Sequence, residues 1–175
     1  MSTDIHILGI DLGKNWFHLI GIDTRGKVVL RKKLNRGKLM AFIADLPTCI
    51  VSMESCPGSQ FLGRRCDDAG HEVRIIPAQF VKPYVKSNKN DFNDAQAIAE
   101  AASRATMRFV PLKSPEQLEL QAIHRVRQRF ITERTATVNQ MRALLLENGI
   151  TIPVGRALFA RRLPGILEDA DNGLS

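Results

Sequence analysis

Four carboxylates in the 175-residue chain fall at positions that favour shared chemistry. Asp11 closes an Ile- and Leu-rich run that begins at Ile5, Glu54 follows the run Cys49-Ile50-Val51-Ser52-Met53, and Asp91 and Asp94 lie three apart where an alanine-rich stretch begins. Residues at i and i+3 share one helix face, so Asp91 and Asp94 form a pair. A carboxylate at the end of a central strand is costly unless it is paired or ligated. Four such groups brought to one place repel each other unless some are protonated or a cation joins them. Oxygen-only ligands suit Mg²⁺ or Mn²⁺ better than zinc. Two such ions stabilise the attacking and the leaving oxygen of an in-line phosphoryl transfer. Each acid alone has a plainer role, since Asp11 suits a turn and Asp91 a helix N-terminus, where the dipole favours acids. The joint pattern makes Asp11, Glu54, Asp91 and Asp94 the candidate catalytic and metal-binding residues.

The elements that must bring them together are legible in the hydrophobic pattern. Ile5 to Gly13, Trp16 to Asp23 and Lys27 to Leu34 read as three strands, and their short links join only antiparallel neighbours. A helix from about Lys38 to Leu46 ends at Pro47, a strand runs from Cys49 into Glu54, and Pro57 opens a helix that Gly70 can cap. Glu72 to Ile76 is a fifth strand. Crossover links imply parallel pairing, so strands one, four and five should lie side by side with helices on the faces. That is the ribonuclease-H-like arrangement, an α/β fold with a mixed five-stranded sheet, and it puts the ends of strands one and four at one edge. A helical stretch from Asp91 to Thr106 follows a polar, basic segment, and a long helix is expected over Glu116 to Asn148, roughly 50 Å at about 1.5 Å per residue. The remainder, Thr151 to Ser175, shows no clear core pattern and reads as a tail or hinge.

Lys and Arg number 25 against 18 Asp and Glu, a net charge of +7 that favours polyanionic partners. The excess is concentrated. Arg25, Lys27, Arg31, Lys32, Lys33, Arg36 and Lys38 follow one another without an acid, and Lys82, Lys86 and Lys89 flank Tyr84. These ten are the candidate nucleic-acid contacts, the competing reading being a solvated face. Trp16, Tyr84 and Phe92 suit either base stacking or the core. The four histidines, His6, His18, His71 and His124, have no partner at a telling spacing and read as structural or surface residues. Three cysteines without a C-x-x-C pair suggest neither a disulfide framework nor a zinc knuckle. With no signal-like amino terminus and no apolar run near the ~20 residues that span a bilayer, the expected location is the cytoplasm, without membrane contact.

Read together, Ile10-Asp11-Leu12-Gly13-Lys14, Met53-Glu54-Ser55-Cys56, the segment from Val73 through Pro77-Ala78-Gln79-Phe80-Val81-Lys82-Pro83-Tyr84 to Lys86, and Lys89-Asn90-Asp91-Phe92-Asn93-Asp94-Ala95-Gln96 closely resemble the DEDD transposases of bacterial insertion sequences. The class is the one numbered one-hundred-and-ten, which includes the pilin-gene invertase. Thr106 to Pro111 and Arg142-Ala143-Leu144-Leu145 extend the resemblance along most of the chain. It implies a RuvC-like catalytic domain over residues 1–112 whose metal-binding acids fall on the four carboxylates above. It also implies a coiled-coil segment over 113–150 and a tail or linker over 151–175; the apolar stripe of the long helix would otherwise stay partly wet, which points to a homodimer or higher oligomer through it. It further implies DNA as substrate, transposition or site-specific recombination as activity, and a structured RNA as guide. Family members continue into a further domain with a nucleophilic serine. Ser175 precedes that region, so on this reading the chain binds metal and nucleic acid without completing recombination. A stand-alone Holliday junction resolvase, a non-catalytic nucleic-acid-binding module and a sugar-kinase-like or actin-like ATPase fragment are the competing expectations. The last lacks a second glycine-rich phosphate loop.

Overall fold

The computed structural model describes residues 4–85 and 90–174, which leaves Lys86 and Lys89 outside the described residues. The chain divides into two compact units, Met1–Lys113 and Ser114–Ser175. In the first, β1 (Ile7–Leu12), β2 (Trp16–Ile22) and β3 (Val28–Asn35) form the antiparallel meander. Helix α1 (Arg36–Asp45), β4 (Ile50–Glu54), α2 (Ser59–Asp68) and β5 (Glu72–Ile76) supply two crossovers. The strand order is β3-β2-β1-β4-β5, with β1, β4 and β5 parallel, which is the ribonuclease-H-like arrangement expected from the crossover rule. A short helix α3 (Ala78–Val81) and a 3-10 turn (Lys82–Tyr84) precede α4 (Asp91–Ala102).

Side-chain alternation divides each strand between two cores. Leu8, Ile10, Phe17, Leu19, Val51 and Met53 face α1 and α2, where Leu39, Ile43, Leu62 and Cys66 close the layer. Ile7, Ile20, Ile22 and Ile50 face α4, whose Ala95, Ala97, Ile98, Ala99 and Ala101 are buried against them. The small residues of α4 have a purpose here. A Cβ at Gly9 would collide with the Ala95 carbonyl oxygen and stand 2.8 Å from the Ala99 nitrogen, so α4 rides directly on the backbone of β1.

Local chemistry sets the helix ends. The Asn35 side chain accepts the Lys38 N–H at 3.0 Å and starts α1 at Arg36, two residues before the expected Lys38. Helix α2 begins at Ser59 rather than Pro57, because Gly58 takes a left-handed conformation at its N-cap. Gly70, at φ 87°, occupies the position expected to end that helix. Helix α4 stops at Ala102, short of the expected Thr106. Two buried groups are structural. His71 Nδ1 accepts the Cys49 N–H at 3.3 Å and Nε2 donates to the Ile43 carbonyl at 3.0 Å, so both nitrogens are used within the core. Burial pushes the Cys49 thiol up to about 11 and the Cys66 thiol up to about 12, leaving both as unreactive packing groups.

The second unit is α5 (Pro115–Glu147) and α6 (Arg156–Glu168). Ser114 and Gln117 form a reciprocal capping box at the start of α5, with Pro115 at the first helical position. The reading of 151–175 as a patternless tail is corrected: α6 buries Phe159 against Leu145 of α5 and Ile152 of the connecting loop. Pro164 inside α6 and the charged Arg161-Arg162 pair hid this helix from the pattern. On α5, Leu120, Ile123, Val126 and Phe130 are exposed.

Candidate active site

Strand register carries Asp11 and Glu54 to the same edge. Ile10 pairs with Met53 in the parallel ladder, so the next residue of each strand, Asp11 and Glu54, emerges at the carboxyl edge of the sheet. Both belong to the alternation that faces α4, since Ile7 on β1 and Ile50 on β4 lie in that core. Helix α4 begins at this edge. Asn90 caps it by accepting the Phe92 N–H at 3.0 Å, and Asp91 and Asp94 fill its first turn. Three elements remote in sequence therefore deliver four acids to one end of the sheet.

Their fields overlap at Asp11. Burial pushes its carboxyl from 3.8 up to about 6, and the negative charges of Asp94, Asp91 and Glu54 each add to the rise. Desolvation disfavours the charged form and like charges disfavour it further, so this end of the sheet favours an added positive charge. Among the described residues, no three His, Cys, Asp or Glu side chains stand close enough together to hold a metal ion at once. The acids share a field rather than a closed cage.

A residue read as merely structural lies among them. In the β1–β2 ladder Asp11 is directly opposite His18. The imidazole is 6% exposed, and its Nδ1 lies 3.8 Å from an Asp11 carboxylate oxygen and 3.5 Å from one of Asp91. That nitrogen is buried and makes no hydrogen bond among the described residues. The signal was present in the sequence as hairpin arithmetic: the turn that pairs Leu12 with Phe17 also pairs Asp11 with His18. Phe92, one of the candidate stacking residues, packs edge-on against His18 with centroids 4.8 Å apart and an interplanar angle of 75°. Its own face is covered by Arg31, whose guanidinium carbon is 4.1 Å from the ring centroid.

The basic segment occupies the edge strand and its ends. Arg25 and Lys27 lie in the β2–β3 turn, at the end of the sheet opposite the acids, where Asp23 accepts both of their backbone N–H groups. Arg31, Lys32 and Lys33 are exposed along β3, and Arg36 and Lys38 begin α1 beside the acid-bearing edge. Several rest on rings: Lys32 on Phe42, Lys33 on Trp16 and Arg36 on Phe17, at 4.5, 5.4 and 5.4 Å. Trp16 is half exposed where β2 begins. Lys82 is exposed in the 3-10 turn, and Arg104 rather than a lysine covers Tyr84.

Residues 8–149 match the family model for DEDD transposases of the IS110 type, described as a transposase. The chain belongs to this transposase family. It is 48% identical over 158 residues to the transposase for insertion sequence element IS1328 of Yersinia enterocolitica, covering 90% of this chain and 47% of that protein. Against the transposase for insertion sequence element IS1111A of Coxiella burnetii, identity is 46% over 172 residues, covering 98% of this chain and 47% of that protein. The chain thus spans about half the length of these transposases. Among solved structures it is similar to T. thermophilus RuvC in complex with a Holliday junction substrate, at 15% identity and a TM-score of 0.46, covering 59% of this chain and 98% of that one. Strand order and register define the ribonuclease-H-like fold of the first unit. Among the described residues, no helix is long and apolar enough to cross a membrane.

Proposed function

We propose that this chain is the metal-dependent catalytic part of an IS110-type DNA transposase, with Asp11, Glu54, Asp91 and Asp94 binding Mg²⁺ or Mn²⁺ against a DNA phosphodiester. The observation that carries the reading is the meeting of four acids from β1, β4 and α4 at one sheet edge, where burial first and then the charges of Asp94, Asp91 and Glu54 raise the Asp11 carboxyl to about 6. The buried, unpartnered Nδ1 of His18 is a second sign that the site is built to hold something polar. A bound divalent ion would supply Lewis-acid stabilisation of a phosphodiester under attack. The chain's own contribution is to bring the carboxylates together, to exclude water from one side of Asp11 through the packing of α4, and to hold the DNA backbone alongside.

Backbone contact falls to the edge strand. At about 3.3 Å per residue, the eight residues of β3 span about 26 Å, so Arg25, Lys27, Arg31, Lys32, Lys33, Arg36 and Lys38 form a cationic strip that ends beside the acids. Lys82 is proposed to continue it from the 3-10 turn that precedes α4, and Lys86 and Lys89, outside the described residues, are proposed as further nucleic-acid contacts. Cations on aromatic rings remain available to phosphates on their outer side. Residues 1–112 would then form the catalytic domain. Residues 113–150 would form a coiled-coil segment, whose exposed Leu120, Ile123, Val126 and Phe130 pair with a second copy, and 151–175 would lead onward in longer family members. A structured guide RNA, implied by the family resemblance, and a cytoplasmic, nucleoid-associated location complete the proposal.

Calorimetric titration of the chain with Mn²⁺, with and without a DNA duplex, tests it. The reading requires affinity that Asp11→Asn removes. Nucleic-acid binding that is indifferent to divalent ions and to Asp11→Asn would instead support a non-catalytic binding module.

A further inference from the structure

The β1–β2 register places a histidine opposite Asp11 on the face where the next two β2 positions, Ile20 and Ile22, are buried aliphatics and the preceding one, Trp16, is half exposed. An aliphatic side chain would fill that position without leaving a polar atom unpaired, yet His18 Nδ1 is buried there with no hydrogen bond. What it does have is two carboxylates from different elements within 4 Å, Asp11 of β1 at 3.8 Å and Asp91 of α4 at 3.5 Å. The ring is held against Phe92, the neighbour of Asp91 in the first turn of α4, and Arg31 covers Phe92 from the far side. The same helical turn that carries Asp91 therefore fixes the imidazole.

We propose that His18 is a positioning residue of the metal site: its Nδ1–H is donated to the outer oxygens of Asp11 and Asp91, pinning the two carboxylates at the junction of β1 and α4 so that their remaining oxygens face a divalent cation. The proposal rests on the reading of the four acids as metal ligands. A shift of about 0.3 Å by Asp91 or about 0.6 Å by Asp11 brings that carboxylate within hydrogen-bond range. Donors behind a ligating carboxylate orient it and tune its basicity, and their loss lowers metal affinity by roughly 10- to 100-fold.

The test is Mn²⁺ calorimetry on the full chain as wild type, His18→Asn, His18→Gln, His18→Leu and Asp11→Asn, with melting of each variant in EDTA. Asparagine carries an amide N–H near the place of Nδ1, whereas the glutamine amide is displaced toward Nε2. The expected result is Mn²⁺ affinity within about 3-fold of wild type for His18→Asn, and a loss of roughly 10- to 100-fold for His18→Gln and His18→Leu, with melting temperatures in EDTA unchanged or raised. Should His18→Leu fail to fold, the Asn and Gln pair decides. Wild-type affinity in His18→Gln, or equal loss in His18→Asn and His18→Gln, overturns the positioning role. Absence of Mn²⁺ binding by the wild type, or its retention in Asp11→Asn, overturns the underlying metal reading instead.

Discussion

Replacing Asp11 by Asn should stabilise the metal-free protein at neutral pH. The folded chain holds the Asp11 carboxyl at about 6 against 3.8 for a free side chain, through burial and the charges of Asp94, Asp91 and Glu54. At about 1.4 kcal/mol per tenfold change in proton affinity, keeping it ionised costs the fold about 3 kcal/mol at pH 7.5. The side chain retains 29% of its exposure, so solvent screening reduces the expected gain to about 1.5 to 3 kcal/mol. Because the folded state binds this proton more tightly than the unfolded state, the group's contribution falls as pH rises from about 4 to about 6 and is level above that. Asp11→Asn removes this slope. Urea denaturation in EDTA, followed by the fluorescence of Trp16, the one tryptophan and a residue of the same unit, measures the difference. Mn²⁺ at about 1,000 times its dissociation constant should reverse the order, since it adds about 4.1 kcal/mol to the form that binds it. An Asn variant no more stable than wild type at pH 7.5, or one with the same pH dependence, would refute the crowding of charge at Asp11.

Other substitutions probe the supports of the site. Gly9→Ala drives a methyl into the Ala95 carbonyl and the Ala99 backbone, so it should cost about 1 to 3 kcal/mol in urea denaturation and weaken Mn²⁺ binding as Asp91 and Asp94 move with α4. Joint reversal of Lys32 and Lys33 to Glu should weaken binding to DNA duplexes of any sequence and flatten the log–log salt dependence by about 2, as measured by anisotropy titrations at several salt concentrations. Ser114→Ala removes the capping box of α5 and should cost about 1 kcal/mol of helix stability, read by circular dichroism on heating.

The sheet was readable because its determinants are local. Short Gly-containing turns impose the meander, crossovers impose parallel pairing of β1, β4 and β5, and two-residue alternation then puts Asp11 and Glu54 on one face. The approach of α4 was only half readable: an alanine-rich helix is visible in the sequence, but its seat on Gly9 is a contact between residues some 90 positions apart. His18 escaped because its partners, Asp11 and Asp91, meet it only once a hairpin register and a helix position are both fixed. The basic segment looked uniform, yet the alternation of β3 sends Arg31 to Phe92 on one face and Lys32 to Phe42 on the other. Helix α6 was obscured by Pro164 and an uncapped start at Gly155, and its packing depends on one aromatic, Phe159.

Anomalous diffraction from crystals of the chain grown with Mn²⁺ tests the central claim most directly. A manganese peak bonded to Asp11 and to at least one of Glu54, Asp91 and Asp94 is the predicted result. Saturating Mn²⁺ with no peak among these four carboxylates, or with peaks only elsewhere on the surface, would contradict it.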